Sequence, residues 1–168
     1  MKKLFAILLA VAMVLCLAAC QTPENTENPG NGEPVQDSYT FTYKGTKIAL
    51  NAPAEAVVAA LGDPLEYSES TSCAFDGLDK QYKYASFYLE TYPLNGKDYI
   101  YGWWFVDDLV ETEEGICIGS ALADVEAAYG AENYNGSNAF QMKKGSGSLT
   151  IILEAGVVTS IQYGIMAS

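Results

Sequence analysis

The chain has 168 residues, no histidine, nine Lys and Arg together against 21 Asp and Glu, and a formal charge of −12. It lacks the clustered cations that displace counterions from nucleic acid or meet an anionic lipid surface, so both partners are excluded. Without imidazole, Ser-His and Cys-His nucleophiles cannot be built, and no Ser-x-x-Lys supplies a lysine-based alternative.

Lys2 and Lys3 precede an apolar run from Leu4 to Leu17, the charged and hydrophobic regions of an export leader. The run is shorter than the about 20 residues a spanning helix needs. It ends in Leu17, Ala18, Ala19 and Cys20, which resembles the lipobox of bacterial lipoproteins. That resemblance implies removal of residues 1–19, a diacylglyceryl thioether on Cys20, and a chain held extracytoplasmically on the outer face of the cell membrane. Loss of Lys2 and Lys3 takes the mature chain to −14. Residues 20–37, rich in Pro, Asn, Glu, Gly and Thr, cannot bury enough apolar surface to offset chain entropy and read as a tether.

The folded part is expected over 38–168 as a single domain. Tyr39, Phe41 and Tyr43 alternate with threonines, Lys44, Gly45 and Thr46 break the pattern, and Ile48 and Leu50 resume it, which predicts a β-hairpin. Asn51, Pro53 and Glu55 open a short helix with Val57, Val58 and Leu61 on one face, stopped by Gly62. Strands are expected around Ser70 to Phe75, Gln81 to Tyr92 and Tyr99 to Val106, with Asp107-Asp108 as a two-residue hairpin turn into Leu109 to Thr112. A second helix follows, capped by Ser120, with Leu122, Val125 and Tyr129 on one face and Gly130 at its end. Asn138 to Lys143, Ser148 to Glu154 and Val157 to Ile165 complete another strand set. Aligning Gly62 with Gly130 puts Ile48 and Leu50 on Ile116 and Ile118, and Ala155-Gly156 on Asp107-Asp108. The fold expected is therefore α+β: the N-terminal hairpin followed by two tandem units of short helix plus antiparallel β-meander, about 46–115 and about 116–168.

Ser72, Cys73, Ala74, Phe75, Gly77, Leu78, Asp79 and Lys80, then Thr91, Tyr92 and Pro93, carry a resemblance that covers nearly the whole folded part. Asp107, Asp108, Val110, Thr112, Glu114 and Gly115, then Val158, Thr159, Ser160, Ile161 and Tyr163, extend it. The chain resembles the small lipoproteins of Gram-positive anaerobes built like beta-lactamase inhibitor protein, as tandem helix-plus-sheet repeats. The resemblance implies a structural repeat and no reaction, and the inhibitor's paired disulfides have no counterpart here.

Once Cys16 leaves with the leader and Cys20 is acylated, Cys73 and Cys117 remain, either paired in a disulfide or separate as buried thiols. Asp107, Asp108, Glu111, Glu113 and Glu114 offer oxygens that could serve calcium or an acid-pair hydrolase, but they fall in turns and follow no EF-hand spacing. No cofactor and no metal are expected.

The aromatic residues of the first strand set carry the functional reading. If Glu90 faces water, Tyr88 and Tyr92 face out with it. Ile100 and Phe105 both belong inside, yet are an odd number apart, which requires a bulge, and Gly102 is the natural place for it. Tyr99, Tyr101 and Trp104 then join Tyr88 and Tyr92 outside, while Trp103 turns in. Such a strip either packs on itself and on the hairpin, or serves as a binding surface of large rigid area with polar tips. The leading expectation is a non-enzymatic, membrane-anchored module holding a cell-envelope protein on this face; the alternative is a receptor for cell-wall glycan or a small ligand.

Overall fold

The computed structural model describes residues 38–166; the leader, Cys20 and the tether lie outside the described residues. The architecture is α+β and mostly β. A hairpin, β1 (Thr40–Tyr43) and β2 (Thr46–Ala49), precedes helix α1 (Ala54–Leu61) and strands β3 (Glu66–Thr71), β4 (Leu78–Lys83), β5 (Phe87–Leu94) and β6 (Lys97–Phe105). Helix α2 (Leu122–Tyr129) and one 3-10 turn lead to β7 (Ala139–Lys144), β8 (Gly147–Glu154) and β9 (Val157–Ile165). The two runs of strands are unequal and merge into one antiparallel sheet of order β3-β4-β5-β6-β9-β8-β7.

The inner face of this sheet carries the core. Period-2 alternation puts Phe87 and Leu89 of β5, Trp103 and Phe105 of β6, Leu149 and Ile151 of β8, and Ile161 and Tyr163 of β9 inside. The hairpin and both helices lie over them. Phe41 from β1 sits with its ring centroid 5.1 Å from that of Phe87 and 5.0 Å from that of Phe105. Val125 of α2 is fully buried, as the one-faced helix pattern requires.

The hairpin, both helices and their glycine ends lie where the periodicity put them, with Gly62 and Gly130 as C-caps. The caps differ. Asn51 lies ahead of α1, whose N-cap is Pro53, and its backbone N–H bonds the Ile100 carbonyl at 2.8 Å while Ile100 N–H bonds Ala52. Residues 51–53 thus cover the stretch of β6 that β9 does not reach. Ser120 turns its hydroxyl back to accept from Cys117 N–H at 3.1 Å, so the N-cap of α2 is Ala121, whose N–H donates to the Asp124 carboxylate.

Three strand expectations are corrected. The first lies earlier, at Glu66–Thr71, and residues 72–77 form a loop in which the Ser72 hydroxyl accepts from the Ala74 and Phe75 amides. Every residue of β3 is exposed, so no buried face imprints an alternation. The expected strand from Gln81 to Tyr92 is two strands, reversed at Tyr84-Ala85-Ser86, where Tyr84 N–H bonds Phe87 O without any Gly or Pro to mark the turn. Asp107-Asp108 is no hairpin turn, because the chain leaves β6 into a long loop pinned by buried Val110 and Ile116, with the Asp107 carboxylate accepting from Leu109 N–H. The two-residue hairpin turns are Asn95-Gly96 and Ala155-Gly156 instead: both pairs have positive φ at both residues, 52° and 74° against 50° and 80°, the signature of a type I′ turn.

The bulge lies where the parity argument put it. Glu90 pairs with Gly102 and Thr91 with Ile100, leaving Tyr101 as the extra residue. Ile100, Trp103 and Phe105 are all buried as a result. Only glycine fits at 102, since a Cβ there would lie 2.3 Å from the Tyr163 carbonyl oxygen of β9.

Candidate functional site

The outer face of the first four strands is built from register. Lys83, Tyr88 and Trp104 lie side by side across β4, β5 and β6. Tyr88 stacks on Trp104 at 4.7 Å between centroids and 12° between planes, and the Lys83 ammonium lies 5.6 Å from the Tyr88 ring. One step along the sheet, Gln81, Glu90 and Gly102 form a polar row in which the Gln81 amide donates to Glu90 at 3.3 Å. Beyond it Tyr92 lies among Phe75 at 4.8 Å, Tyr99 at 5.9 Å and Tyr101 at 6.4 Å.

The sequence-predicted strip therefore divides. Tyr101 is 43% exposed, and Tyr88, Tyr99 and Trp104 are half-buried. Tyr92, expected outside, is only 5% exposed, because Phe75 of the 72–77 loop folds over its ring and its hydroxyl donates to the Asn51 side-chain carbonyl. Burial first, then the neighbouring Tyr99, pushes the Tyr92 phenol above its ordinary pKa.

Folding of that loop onto the sheet creates a cleft of about 580 Å³, within the usual range for ligand sites of about 300–1,000 Å³. Tyr92, Tyr101 and Phe75 form one wall, Ser68 and Ser70 of the edge strand the other, and Gln81 and Glu90 the floor. Tyr88, Tyr99 and Trp104 do not line it. Nothing in the sequence marks Phe75, Ser70, Gln81 and Asp79 as lining a site; the Asp76-Gly77 dipeptide beside Phe75 is the one signal that a loop turns back there. Lys80 also borders the cleft, but its ammonium bonds Asp98 at 2.7 Å, a hydrogen bond that holds its pKa above the ordinary lysine value.

The matching outer positions of the second strand run are polar: Trp104 pairs with Gln162, and Gln162 with Thr150, while Gly164, Ser148 and Lys143 fill the neighbouring row. The aromatic character belongs to one half of a continuous sheet.

Cys73 and Cys117 are both free thiols. Cys73 is exposed on the 72–77 loop, against the expectation of a buried thiol, and Cys117 is half-buried with its sulfur 3.6 Å from the Ser120 hydroxyl. The acids after β6 serve the loop itself: Glu113 accepts from the Thr40 hydroxyl and Glu114 from the Tyr129 hydroxyl, the latter at 2.6 Å. Among the described residues, no group of three or more His, Cys, Asp or Glu is placed to hold a metal ion, no carboxylate is buried, and no helix is long and apolar enough to cross a membrane.

No family model matches the chain, and no curated protein matches it. Among solved structures it is similar to an extracellular protein containing a SCP domain from Bacillus anthracis str. Ames, at 13% identity and a TM-score of 0.39. That likeness covers 67% of this chain and 43% of the other, and it is too remote to carry an argument about fold or activity.

Proposed function

We propose that this chain is a membrane-anchored, extracytoplasmic binding module, without catalytic activity, whose aromatic cleft holds an extended segment of another envelope protein. The observation that carries the reading is the cleft's position: its Ser68–Ser70 wall belongs to β3, an edge strand with all six residues exposed and, among the described residues, no strand paired on its outer side. An edge offers main-chain hydrogen bonds to an added strand, and an adjacent pocket offers selectivity through alternate side chains. Rigid rings beside half-exposed polar groups suit such a partner. The absence of histidine from the chain, and of buried carboxylates from the described residues, supports a role without chemistry.

A photo-crosslinking residue placed at Ser70 is expected to trap a protein on intact cells, while the same residue at Thr150, on the polar half of the same face, traps none. Equal trapping at both positions, or none at Ser70, contradicts the reading. The anchor has its own test, since the mature chain is expected to begin at an acylated Cys20, and an unmodified cysteine in its mass spectrum overturns it.

A glycan-binding alternative is favoured by the hydroxyl and amide groups of Ser68, Ser70 and Gln81 beside the rings. Calorimetric titration of the full chain with peptidoglycan fragments separates the two, because the protein-binding reading gives no saturable heat.

The two helix-plus-strand runs also read as copies of one unit, as the resemblance to beta-lactamase inhibitor protein-like lipoproteins implies. Supporting this, Trp103 pairs with Tyr163 across the β6–β9 joint, and each follows its own type I′ turn, Asn95-Gly96 or Ala155-Gly156, at the same interval. The first copy then differs by its extra edge strand β3, the one that borders the cleft.

A further inference from the structure

The charge on the cleft specifies its occupant. Glu69, Asp79 and Glu90 border it, and the one lysine at its margin, Lys80, is committed to Asp98. Glu66, farther along the β3 edge, is likewise committed to Lys83, so the uncompensated charge of the cleft is that of Asp79 and Glu90. An anionic occupant is repelled. A purely apolar one would strip water from Asp79 and Glu90 without replacing it. A second copy of this chain, paired β3 to β3, would add the same edge, which carries Glu66 and Glu69 and no lysine, and so brings no charge complementary to Asp79 and Glu90. A cation meets both features at once, since carboxylates pair with it and the rings of Phe75, Tyr92 and Tyr101 attract it through their quadrupoles.

Resting on the protein-partner reading above, we infer that the segment recognised here is extended and rich in lysine or arginine, pairing with the free edge of β3 and directing alternate basic side chains over the Ser68–Ser70 wall into the cleft, toward Asp79, with Glu90 attracting them from farther in. β3 pairs with β4 in unbroken register from Glu66 to Thr71, and contains neither proline nor lysine, two of the devices that commonly keep an edge from being extended. Its acidic side chains discourage self-association and leave a basic strand admissible.

The probe is a labelled peptide of about eight residues, alternating lysine with threonine, titrated by fluorescence polarisation against the full chain in detergent. The same peptide with every lysine acetylated serves as its neutral twin. The lysine peptide is expected to bind about tenfold or more tightly than the acetylated one. Glu90→Gln and Asp79→Asn are each expected to weaken the lysine peptide by about fivefold and to leave the acetylated peptide unchanged. Both substitutions are near-isosteric, and an unaltered thermal midpoint for each variant separates loss of charge from loss of fold. Equal affinity for the two peptides overturns the basic character of the segment while leaving the protein-binding reading intact, since a peptide still binds. Failure of both peptides, together with a saturable calorimetric response to an N-acetylated oligosaccharide, overturns the protein-binding reading itself. Failure of both without that response overturns the inference alone.

Discussion

Gly102→Ala strikes the joint between the two halves of the sheet. β6 and β9 are paired through Gly102–Gly164, Trp103–Tyr163 and Trp104–Gln162. The added methyl would lie 2.3 Å from the Tyr163 carbonyl oxygen and 3.1 Å from the Gly164 Cα, both backbone atoms that cannot rotate away. An ordinary carbon–oxygen contact needs about 3.3 Å, so β9 must retreat by about 1 Å. That forfeits about two backbone hydrogen bonds at about 1 kcal/mol each. It also loosens the Trp103–Tyr163 stack, now 4.9 Å between centroids, worth about 1 kcal/mol more. The total of about 3 kcal/mol should lower the thermal midpoint by about 10 °C in a domain of this size, measured by circular dichroism, with faster hydrogen exchange at β6 and β9 amides. Gly164→Ala is the control: a Cβ there meets nothing within 4 Å, and the midpoint should move by less than about 2 °C. Equal effects of the two substitutions would refute the steric account of the bulge.

Trp103→Ala empties a fully buried site in contact with Phe41 and Tyr163 and is expected to cost about 3–5 kcal/mol by chemical denaturation. Burial pushes the Tyr84 phenol up to about 12 and also raises Tyr129 and Tyr163, the last two aided by neighbouring Glu114. The fold favours the neutral phenols, so their contribution is complete below about pH 10, the unfolded value, and is lost as pH rises through the folded values, for Tyr84 about 12. The last phenolate absorbance to appear in an alkaline titration should therefore rise together with the loss of circular dichroism, and ionisation of all 12 tyrosines while the fold persists would contradict this. A thiol reagent is expected to modify exposed Cys73 well before half-buried Cys117 in the native protein, and equal rates would contradict the placement of the 72–77 loop.

Where one face of an element is buried, the sequence was legible. The alternation of β5 and the odd spacing of Ile100 and Phe105 were enough to locate the bulge and to separate Trp103 from Trp104, because a parity error would bury a polar residue. β3 was misplaced for the converse reason: with every side chain in solvent, Glu66–Thr71 carries no period. The Tyr84–Ser86 reversal is marked by no special residue, since it is held by backbone hydrogen bonds and the burial of Tyr84 and Ser86. The ring strip was visible as residues but not as a shape. Covering Tyr92 takes a long-range contact from Phe75, and the cleft exists only once that loop has folded back onto the sheet. Asp107-Asp108 looked like a turn because aspartates favour turns, yet the strand that would have made it a hairpin is replaced by a loop anchored through Val110 and Ile116.

The double variant Phe75→Ala, Tyr101→Ala removes the two exposed rings of the cleft wall, at 37% and 43% exposure, uncovering Tyr92 but touching no ring of the inner-face core. Its thermal midpoint is expected to stay within about 5 °C of the parent, while crosslinking of an envelope protein through position 70 disappears. Undiminished crosslinking, or a midpoint that collapses as far as that of Trp103→Ala, would mean that these rings hold the fold together and that the cleft is not where a partner binds.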